Sequence, residues 1–215
     1  MTIKVKICGL KDEPALQAAL AGGADYVGFV FFPPSPRAVG LDRARTLAAQ
    51  ARGASVKVVA LLVDADDGLL ASVVEAVDPD ILQLHGSETP ARTAEIRRRF
   101  GRQVMKAIPV EASGDAEAAL GYAEAADLIL FDAKAPAGAT RPGGNGAQFP
   151  WSLLADINGK VAYMLSGGLS PDNVAAAIRA TGAGIVDVSS GVESRPGEKD
   201  PALISRFLRA AKAQH

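Results

Sequence analysis

Near its N-terminus the chain reads Ile3-Lys4-Val5-Lys6-Ile7-Cys8-Gly9-Leu10, an apolar–polar alternation that runs into the single cysteine of the sequence. Side chains alternate across a β-strand, so this pattern predicts a strand with Lys6 and Cys8 on one face. Gly9 ends the strand, and Asp12-Glu13-Pro14 is typical of a helix start, with a carboxylate near the cap and proline in the first turn. The stretch therefore predicts a strand followed by a helix, with the thiol at the carboxyl end of the strand.

The same strand–helix unit recurs along the whole chain. Further strands are predicted at 25–32, 56–63, 80–84, 103–108, 127–131, 160–165 and 184–188. Helices are predicted at 13–21, 42–52, 67–76, 115–124 and 149–157, and three more begin at Thr89-Pro90, Ser170-Pro171 and Asp200-Pro201. Strict alternation in 215 residues without a linker predicts one domain over 1–215. Its predicted class is α/β, a single (β/α)8 TIM barrel of eight parallel strands; an open flavodoxin-like or Rossmann sheet is the alternative.

Composition limits the classes of function. The net charge is −1, with no basic block, which argues against nucleic acid and anionic membranes as partners and leaves small polar ligands. One cysteine excludes an internal disulfide and fits a reducing compartment. No segment approaches the ~18 apolar residues of a membrane span, so we expect a soluble cytoplasmic protein. With one cysteine and two histidines, one of them His215, the sequence offers no metal-ligand cluster.

Two glycine–serine segments are candidates for binding an anion. In a (β/α)8 barrel the active site lies at the carboxyl ends of the strands, and the loops after strands seven and eight recurrently bind phosphate. These loops carry Ser166-Gly167-Gly168 and Ser189-Ser190-Gly191, whose small residues leave backbone N–H groups accessible. The alternative is that they are ordinary glycine turns. Arg37 lies in a proline-rich loop that would orient its planar guanidinium group toward a carboxylate or phosphate. The alternative is that Arg37 is a solvated surface arginine.

Two further strand ends carry groups that can move protons. Asp132 follows an apolar strand, where burial would raise its pKa and make it a usable acid, although a capping or salt-bridged aspartate would stay ionised. Cys8 is a candidate base whose thiolate Lys6 could favour, against the alternative of a small core residue. His85 also lies at a strand end, but two or more strands away from Cys8, so we favour proton abstraction over covalent catalysis by the thiol.

These strand ends together resemble the phosphoribosylanthranilate isomerase family of tryptophan biosynthesis. The resemblance runs from the first strand to Lys199-Asp200. The motifs that carry it are Lys6-Ile7-Cys8-Gly9, Ser35-Pro36-Arg37-Ala38-Val39, Gln83-Leu84-His85-Gly86, Phe131-Asp132, Gly143-Gly144-Asn145-Gly146, Ser166-Gly167-Gly168-Leu169 and Asp187-Val188-Ser189-Ser190-Gly191-Val192-Glu193. Two positions depart from the family pattern, because Asn145 replaces a small hydroxyl residue and Pro150 replaces an aspartate.

The resemblance implies an Amadori rearrangement of a phosphosugar without a cofactor. It implies that Asp132 is the general acid, that Cys8 is the general base and that Arg37 holds the anthranilate carboxylate. Substrate-binding positions are expected at His85, Gly167, Gly168, Ser189, Ser190 and Gly191. Two rivals remain: another phosphosugar barrel enzyme, such as a ribulose-phosphate epimerase or an aminoimidazole-carboxamide ribotide isomerase, and a phosphosugar-binding barrel that has lost catalysis. The oligomeric state is left open.

Overall fold

Eight strands pair in chain order, and the first pairs with the eighth, which closes a parallel barrel. The computed structural model describes residues 2–112, 114–139, 141–157 and 159–214. The strands are β1 Lys4–Cys8, β2 Tyr26–Val30, β3 Lys57–Leu62, β4 Ile81–Leu84, β5 Gln103–Val110, β6 Leu128–Ala133, β7 Tyr163–Leu165 and β8 Ile185–Val188. Closure confirms the predicted (β/α)8 barrel and excludes the open-sheet alternative.

Helices surround the barrel and connect its strands. They are α1 Glu13–Ala21, α2 Leu41–Gly53, α3 Asp67–Val77, α4 Pro90–Phe100, α5 Val174–Thr181 and α6 Pro201–Lys212. A small antiparallel pair, β9 Glu193–Arg195 and β10 Glu198–Lys199, follows β8. The side chains of Asp12, Thr89 and Asp200 accept hydrogen bonds from N–H groups of the first helical turn, which confirms these three predicted starts. In the described part of the chain, no helix combines the length and apolarity needed to cross a membrane.

Two predicted helices are instead short 3-10 helices. The predicted helix 115–124 is the 3-10 helix Asp115–Tyr122, and 149–157 is the 3-10 helix Trp151–Ile157. The buried residues are Ala116 and Ala119 in the first segment and Leu154 and Ile157 in the second. A spacing of three residues places both side chains on one face of a 3-10 helix, which has three residues per turn. Helices were therefore predicted at both places correctly, but as α-helices rather than 3-10 helices.

The start predicted at Ser170-Pro171 was also wrong, because α5 begins at Val174. The Ser170 N–H donates to Asn173 Oδ1 at 2.8 Å, and Asn173 Nδ2 donates to the Gly168 carbonyl at 2.9 Å. These bonds hold residues 170–173 as a turn against the preceding loop and delay the helix. The predicted strand 160–165 is likewise shorter, Tyr163–Leu165, because the Lys160 N–H closes a turn onto the carbonyl of Ile157.

Strand alternation separates two apolar layers. Ile3, Val5 and Ile7 belong to the larger core between the barrel and its helices. A smaller cluster fills the barrel interior, with Tyr26, Val59, Ile81, Met105, Ala107, Leu130 and Met164. Register places Lys6 of β1 beside Asp187 of β8, and Cys8 beside Gly28 of β2. The interior face of β1 therefore carries its polar groups toward the carboxyl end of the barrel, where the candidate site lies.

Candidate active site

One cavity at the carboxyl ends of the strands collects nearly all of the predicted site residues. Its lining includes Cys8, Arg37, His85, Asp132, Gly167, Gly168, Ser189 and Ser190. Gly191 does not line this cavity. Its backbone packs on the preceding loop, where a Cβ at position 191 would lie 1.9 Å from the Leu169 carbonyl oxygen. Gly191 therefore allows the loops after β7 and β8 to meet.

The Cys8 thiol is buried beside a glycine that makes room for it. Only 3% of Cys8 is exposed, and a Cβ at position 28 would lie 2.9 Å from its sulfur. Burial raises the pKa of Cys8 above its ordinary value, although Lys6 acts in the opposite direction. Lys6 thus favours the thiolate as expected, but desolvation outweighs it. The resting group is a thiol whose conjugate base is stronger than that of an ordinary cysteine.

Lys6 lies fully buried in a polar network inside the barrel. Its ammonium donates to Asp187 Oδ1 at 3.0 Å and to Gln83 Oε1 at 2.7 Å. Although burial lowers the pKa of Lys6, Asp187 more than offsets this, so the pKa is raised and the side chain keeps its charge. Ser166 Oγ donates to the second oxygen of Asp187 at 3.1 Å. Lys6 and Asp187 are therefore a buried ion pair as well as neighbours of the thiol.

We expect Lys6→Met to lower the free energy of unfolding by about 3–5 kcal/mol, because it leaves the buried Asp187 carboxylate without its cation. Lys134→Met is the matched control, since Lys134 pairs with Glu111 where both side chains are more than half exposed. That substitution should cost about 0–1 kcal/mol. Urea unfolding of both variants measures the difference. Equal losses in the two variants would contradict a structural role for the Lys6–Asp187 pair.

Asp132 lies at the end of β6 with both carboxyl oxygens engaged. Oδ1 accepts the Ala133 N–H at 2.9 Å, and Oδ2 lies 3.3 Å from His85 Nε2. The other ring nitrogen of His85, Nδ1, is 3.0 Å from the amide nitrogen of Gln83. The structure therefore brings His85 to Asp132 and links both to the network around Lys6.

The loop after β6 covers the cavity from above. A Cβ at position 143 would lie 2.6 Å from both Asp132 Oδ2 and His85 Nε2, so only glycine allows this close approach. Asn145 donates to the Arg141 carbonyl at 3.2 Å and so shapes the turn that carries the glycines. The length and the glycine and proline content of segment 133–148 predict either a functional lid or a disordered loop, and the segment includes Thr140, which lies outside the described residues.

Arg37 is oriented by partners far along the chain. Its Nε and Nη2 donate to the two oxygens of Glu193 at 2.7 and 2.8 Å, a bidentate pair in which both side chains are buried. Nη2 also donates to the Gly144 carbonyl at 3.1 Å, while a Cβ at position 9 would lie 2.7 Å from Arg37 Cδ. Gly9, identified in the sequence as the end of β1, therefore also gives the arginine room. The Nη1 group makes no hydrogen bond in the described part of the chain.

Glu193 is itself buried between two cations. Lys199 donates to Glu193 Oε1 at 2.7 Å and to the Ser189 carbonyl at 2.9 Å. Burial opposes the charged form of Glu193, but Arg37 and Lys199 together hold its pKa below the usual value. Burial lowers the pKa of Lys199, and Glu193 opposes that shift. The turn from β9 to β10 thus ties the arginine to the loop after β8.

The glycine–serine loops form a cradle at one end of the cavity. Gly167 and Gly168 have φ values of +88° and +62°, a backbone conformation that favours glycine. After Ser189, residues Ser190–Val192 form a short 3-10 helix. The N–H groups of Gly168 and Ser190 donate to no acceptor among the residues that the structure describes. Unpaired N–H groups beside a buried lysine suit an anion such as phosphate.

Several supporting residues were not identified from the sequence. Glu193 and Gln83 were noted only within family motifs, and Lys199 only as the end of the resemblance. Asn173, which anchors the Gly168 carbonyl, stood inside a predicted helix. Glu193 could have been found as a carboxylate that pairs with Arg37, because a buried arginine needs an acidic partner. The separation of 156 residues between them gives no sign of this pairing in the sequence.

The fold and the cavity place the chain among (β/α)8-barrel enzymes that act on small anionic substrates. The family model described as N-(5'phosphoribosyl)anthranilate (PRA) isomerase matches residues 5–210. The chain belongs to this N-(5'-phosphoribosyl)anthranilate isomerase family.

Individual relatives agree with the family model over nearly the full chain. The N-(5'-phosphoribosyl)anthranilate isomerase of Bradyrhizobium diazoefficiens is 57% identical over 99% of this chain and 95% of its own length. The phosphoribosyl anthranilate isomerase structure from Thermotoga maritima has a TM-score of 0.88 at 37% identity, covering 98% of this chain and 99% of that one. A phosphoribosyl anthranilate isomerase in complex with reduced 1-(o-carboxyphenylamino)-1-deoxyribulose 5-phosphate has a TM-score of 0.85 at 34% identity, with the same coverage.

Proposed function

We propose that the protein catalyses the cofactor-free Amadori rearrangement of N-(5-phosphoribosyl)anthranilate to 1-(2-carboxyphenylamino)-1-deoxyribulose 5-phosphate. This is the third step of tryptophan biosynthesis from chorismate. The observation that carries the proposal is the single cavity that holds Cys8, Asp132, Arg37 and the glycine–serine cradle in a chain of this family. An acid, a base and two anion subsites are the groups that the reaction requires.

The reaction needs one proton delivered to the ring oxygen on C1 and one proton removed from C2. Asp132 donates its proton to the ribose ring oxygen as the C1–O bond breaks, and the nitrogen lone pair forms the C1=N iminium. Cys8 as thiolate removes the C2 proton, and the electrons of that C–H bond neutralise the iminium to give an enolamine. The enolamine tautomerises to the ketone. The tautomerisation adds a proton at C1 and releases one from the C2 hydroxyl, so the product is an isomer of the substrate. Return of the thiol proton to Asp132 through solvent then restores the acid and the base.

The proposed binding roles follow from the charges around the cavity. Arg37 would receive the anthranilate carboxylate through the Nη1 side that Glu193 leaves available. Gly167, Gly168, Ser189 and Ser190 would receive the phosphate, with Lys199 behind them. Gly191 would act by bringing the two phosphate loops together. His85 would act beside Asp132, at the end of the ribose that opens.

The direct test is turnover by the purified protein. Loss of phosphoribosylanthranilate fluorescence should follow enzyme addition, with the ketone product identified by mass and by absorbance. Ribulose 5-phosphate and an aminoimidazole-carboxamide ribotide serve as rival substrates in the same preparation. Absence of turnover with phosphoribosylanthranilate would overturn the proposed function, and turnover of ribulose 5-phosphate would favour the epimerase alternative.

Arg37→Ala should raise KM for phosphoribosylanthranilate by about 10- to 100-fold, the effect of losing a charge-assisted hydrogen bond, while inorganic phosphate binds as before. The protein should stay folded, because Glu193 keeps Lys199 as a partner. Arg98→Ala on the exposed side of α4 is the matched control. Steady-state kinetics and phosphate inhibition measure the two affinities. Loss of phosphate inhibition would instead move Arg37 to the phosphate subsite.

We further propose that residues 1–215 act as one unit in the cytoplasm. The proposed base works only as a free thiol, and oxidation of Cys8 would remove it, so a reducing compartment suits the reaction. We propose a small phosphosugar as the substrate. The chain is nearly neutral, so nucleic acid is not proposed as a partner.

A further inference from the structure

Two hydrogen bonds and one close polar contact inside the barrel link the neighbour of the proposed base to the proposed acid. Lys6 Nζ lies 2.7 Å from Gln83 Oε1, and Gln83 Nε2 lies 3.0 Å from His85 Nδ1. His85 Nε2 then lies 3.3 Å from Asp132 Oδ2. Gln83 is only 1% exposed, so its amide has little freedom to exchange these partners for water.

The chemistry of the partners fixes the direction of each bond. An ammonium group can only donate, so the amide oxygen of Gln83 must face Lys6. The amide NH2 group then faces His85, where it donates to Nδ1. A ring nitrogen that accepts a hydrogen bond carries no proton, so the proton of the neutral imidazole lies on Nε2. Lys6 keeps its charge because Asp187 holds it at 3.0 Å.

We propose that Gln83 is a positioning residue that fixes His85 as the Nε2–H tautomer, so that the ring presents an N–H to Asp132 and donates to it as the acid ionises. The inference deepens the proposed function and rests on it for the role of Asp132. The Ala133 N–H donates to Oδ1 of the carboxyl group, and the His85 Nε2–H would lie 3.3 Å from Oδ2, close enough to donate to it after a small rotation of the ring.

This arrangement acts on the step in which the sugar ring opens. When Asp132 gives its proton to the ring oxygen, negative charge develops on the carboxyl group. Hydrogen bonds from fixed donors strengthen as that charge develops, and they need no reorganisation at the moment of reaction. With the opposite tautomer, Nε2 would present a lone pair to the forming carboxylate and would repel it.

The tautomer can be read directly, without substrate, by long-range 1H–15N spectroscopy of protein labelled at histidine. The chain has two histidines, and His215→Gln leaves His85 as the single imidazole. We expect the wild-type His85 spectrum to show a protonated Nε2 and an unprotonated Nδ1. A wild-type spectrum with the proton on Nδ1 would overturn the proposal whatever the variants do.

Gln83→Glu tests the link to catalysis. A carboxylate at position 83 still accepts from Lys6, but it also accepts from His85, so a proton should appear on Nδ1. We expect kcat to fall about 10- to 100-fold, the range of a charge-assisted hydrogen bond, with KM changed less than about threefold. Gln103→Glu makes the same change at an exposed position at the start of β5 and should alter neither the spectrum nor kcat.

The outcomes distinguish a failure of the proposed role of Gln83 from a failure of the proposed isomerase function. An unchanged His85 spectrum in Gln83→Glu would overturn the positioning role, and so would an unchanged kcat with a changed spectrum. If Gln83→Glu does not fold, Gln83→Leu removes the same amide donor and should give a mixture of both tautomers; a single Nε2–H form there would overturn the role of Gln83. The expected wild-type tautomer in a protein without isomerase activity would support the assignment and count against the proposed function alone.

Discussion

Asp132→Asn should lower kcat by about 10²- to 10⁴-fold with KM nearly unchanged, the loss typical of a positioned general acid. The amide has nearly the shape of the carboxyl group, and its oxygen can still accept the Ala133 N–H that holds Oδ1 at 2.9 Å. It cannot donate an acidic proton to the ring oxygen. Steady-state kinetics with phosphoribosylanthranilate measure both constants.

The control for this variant is Asp156→Asn, which makes the same change at an exposed position of the 3-10 helix Trp151–Ile157. It should leave kcat as in the wild type. If Asp132→Asn turns over at a rate close to that of the control, Asp132 is not the acid, and the proton must come from another donor at the mouth of the barrel.

Cys8→Ser should also lower kcat by about 10²- to 10⁴-fold, because a hydroxyl group is a far weaker acid than a thiol and is almost never ionised near neutral pH. Inhibition by inorganic phosphate should persist, since the cradle after β7 and β8 does not depend on the sulfur. Cys8→Ala measures how much activity remains without any group at this position. Turnover by Cys8→Ser near the wild-type rate would exclude the thiol as the base.

The same thiol predicts the pH dependence. A base must be deprotonated to act, and burial raises the pKa of Cys8 above that of an ordinary thiol. The thiolate fraction therefore grows as pH rises through the alkaline range, and kcat/KM should rise with it. This rise should be absent in Cys8→Ala. A wild-type profile that is already flat from neutral pH upward would contradict a buried thiol as the titrating base.

The sequence predicted the barrel because local signals repeat at every unit. Helix caps such as Thr89 and Asp200 act within one turn of the helix they start. A reactive residue at the end of a strand likewise stands next to the residue that ends the strand, as Cys8 does beside Gly9. These signals need no knowledge of distant residues. The (β/α)8 rule then brings eight separate strand ends to one end of the barrel, which is why Cys8 and Asp132 could be predicted to line the same cavity.

The contacts that orient the site could not be predicted in the same way. Arg37 meets Glu193 across 156 residues, and Lys6 meets Asp187 across 181 residues. Such pairings depend on the register between strands, which side-chain periodicity does not specify. The net effect on the Cys8 pKa was also inaccessible, because it is a balance between burial and charge that requires the packed structure.

The ion pair between β1 and β8 also has a consequence for biosynthesis on the ribosome. Lys6 is synthesised 181 residues before Asp187. At about 5–20 residues per second, the lysine waits roughly 10–40 s for its partner. During that time β1 has an unpaired edge, and its ammonium group is best left in water. The barrel therefore cannot close before the eighth strand has been made, and the environment of the thiol is completed only at that point.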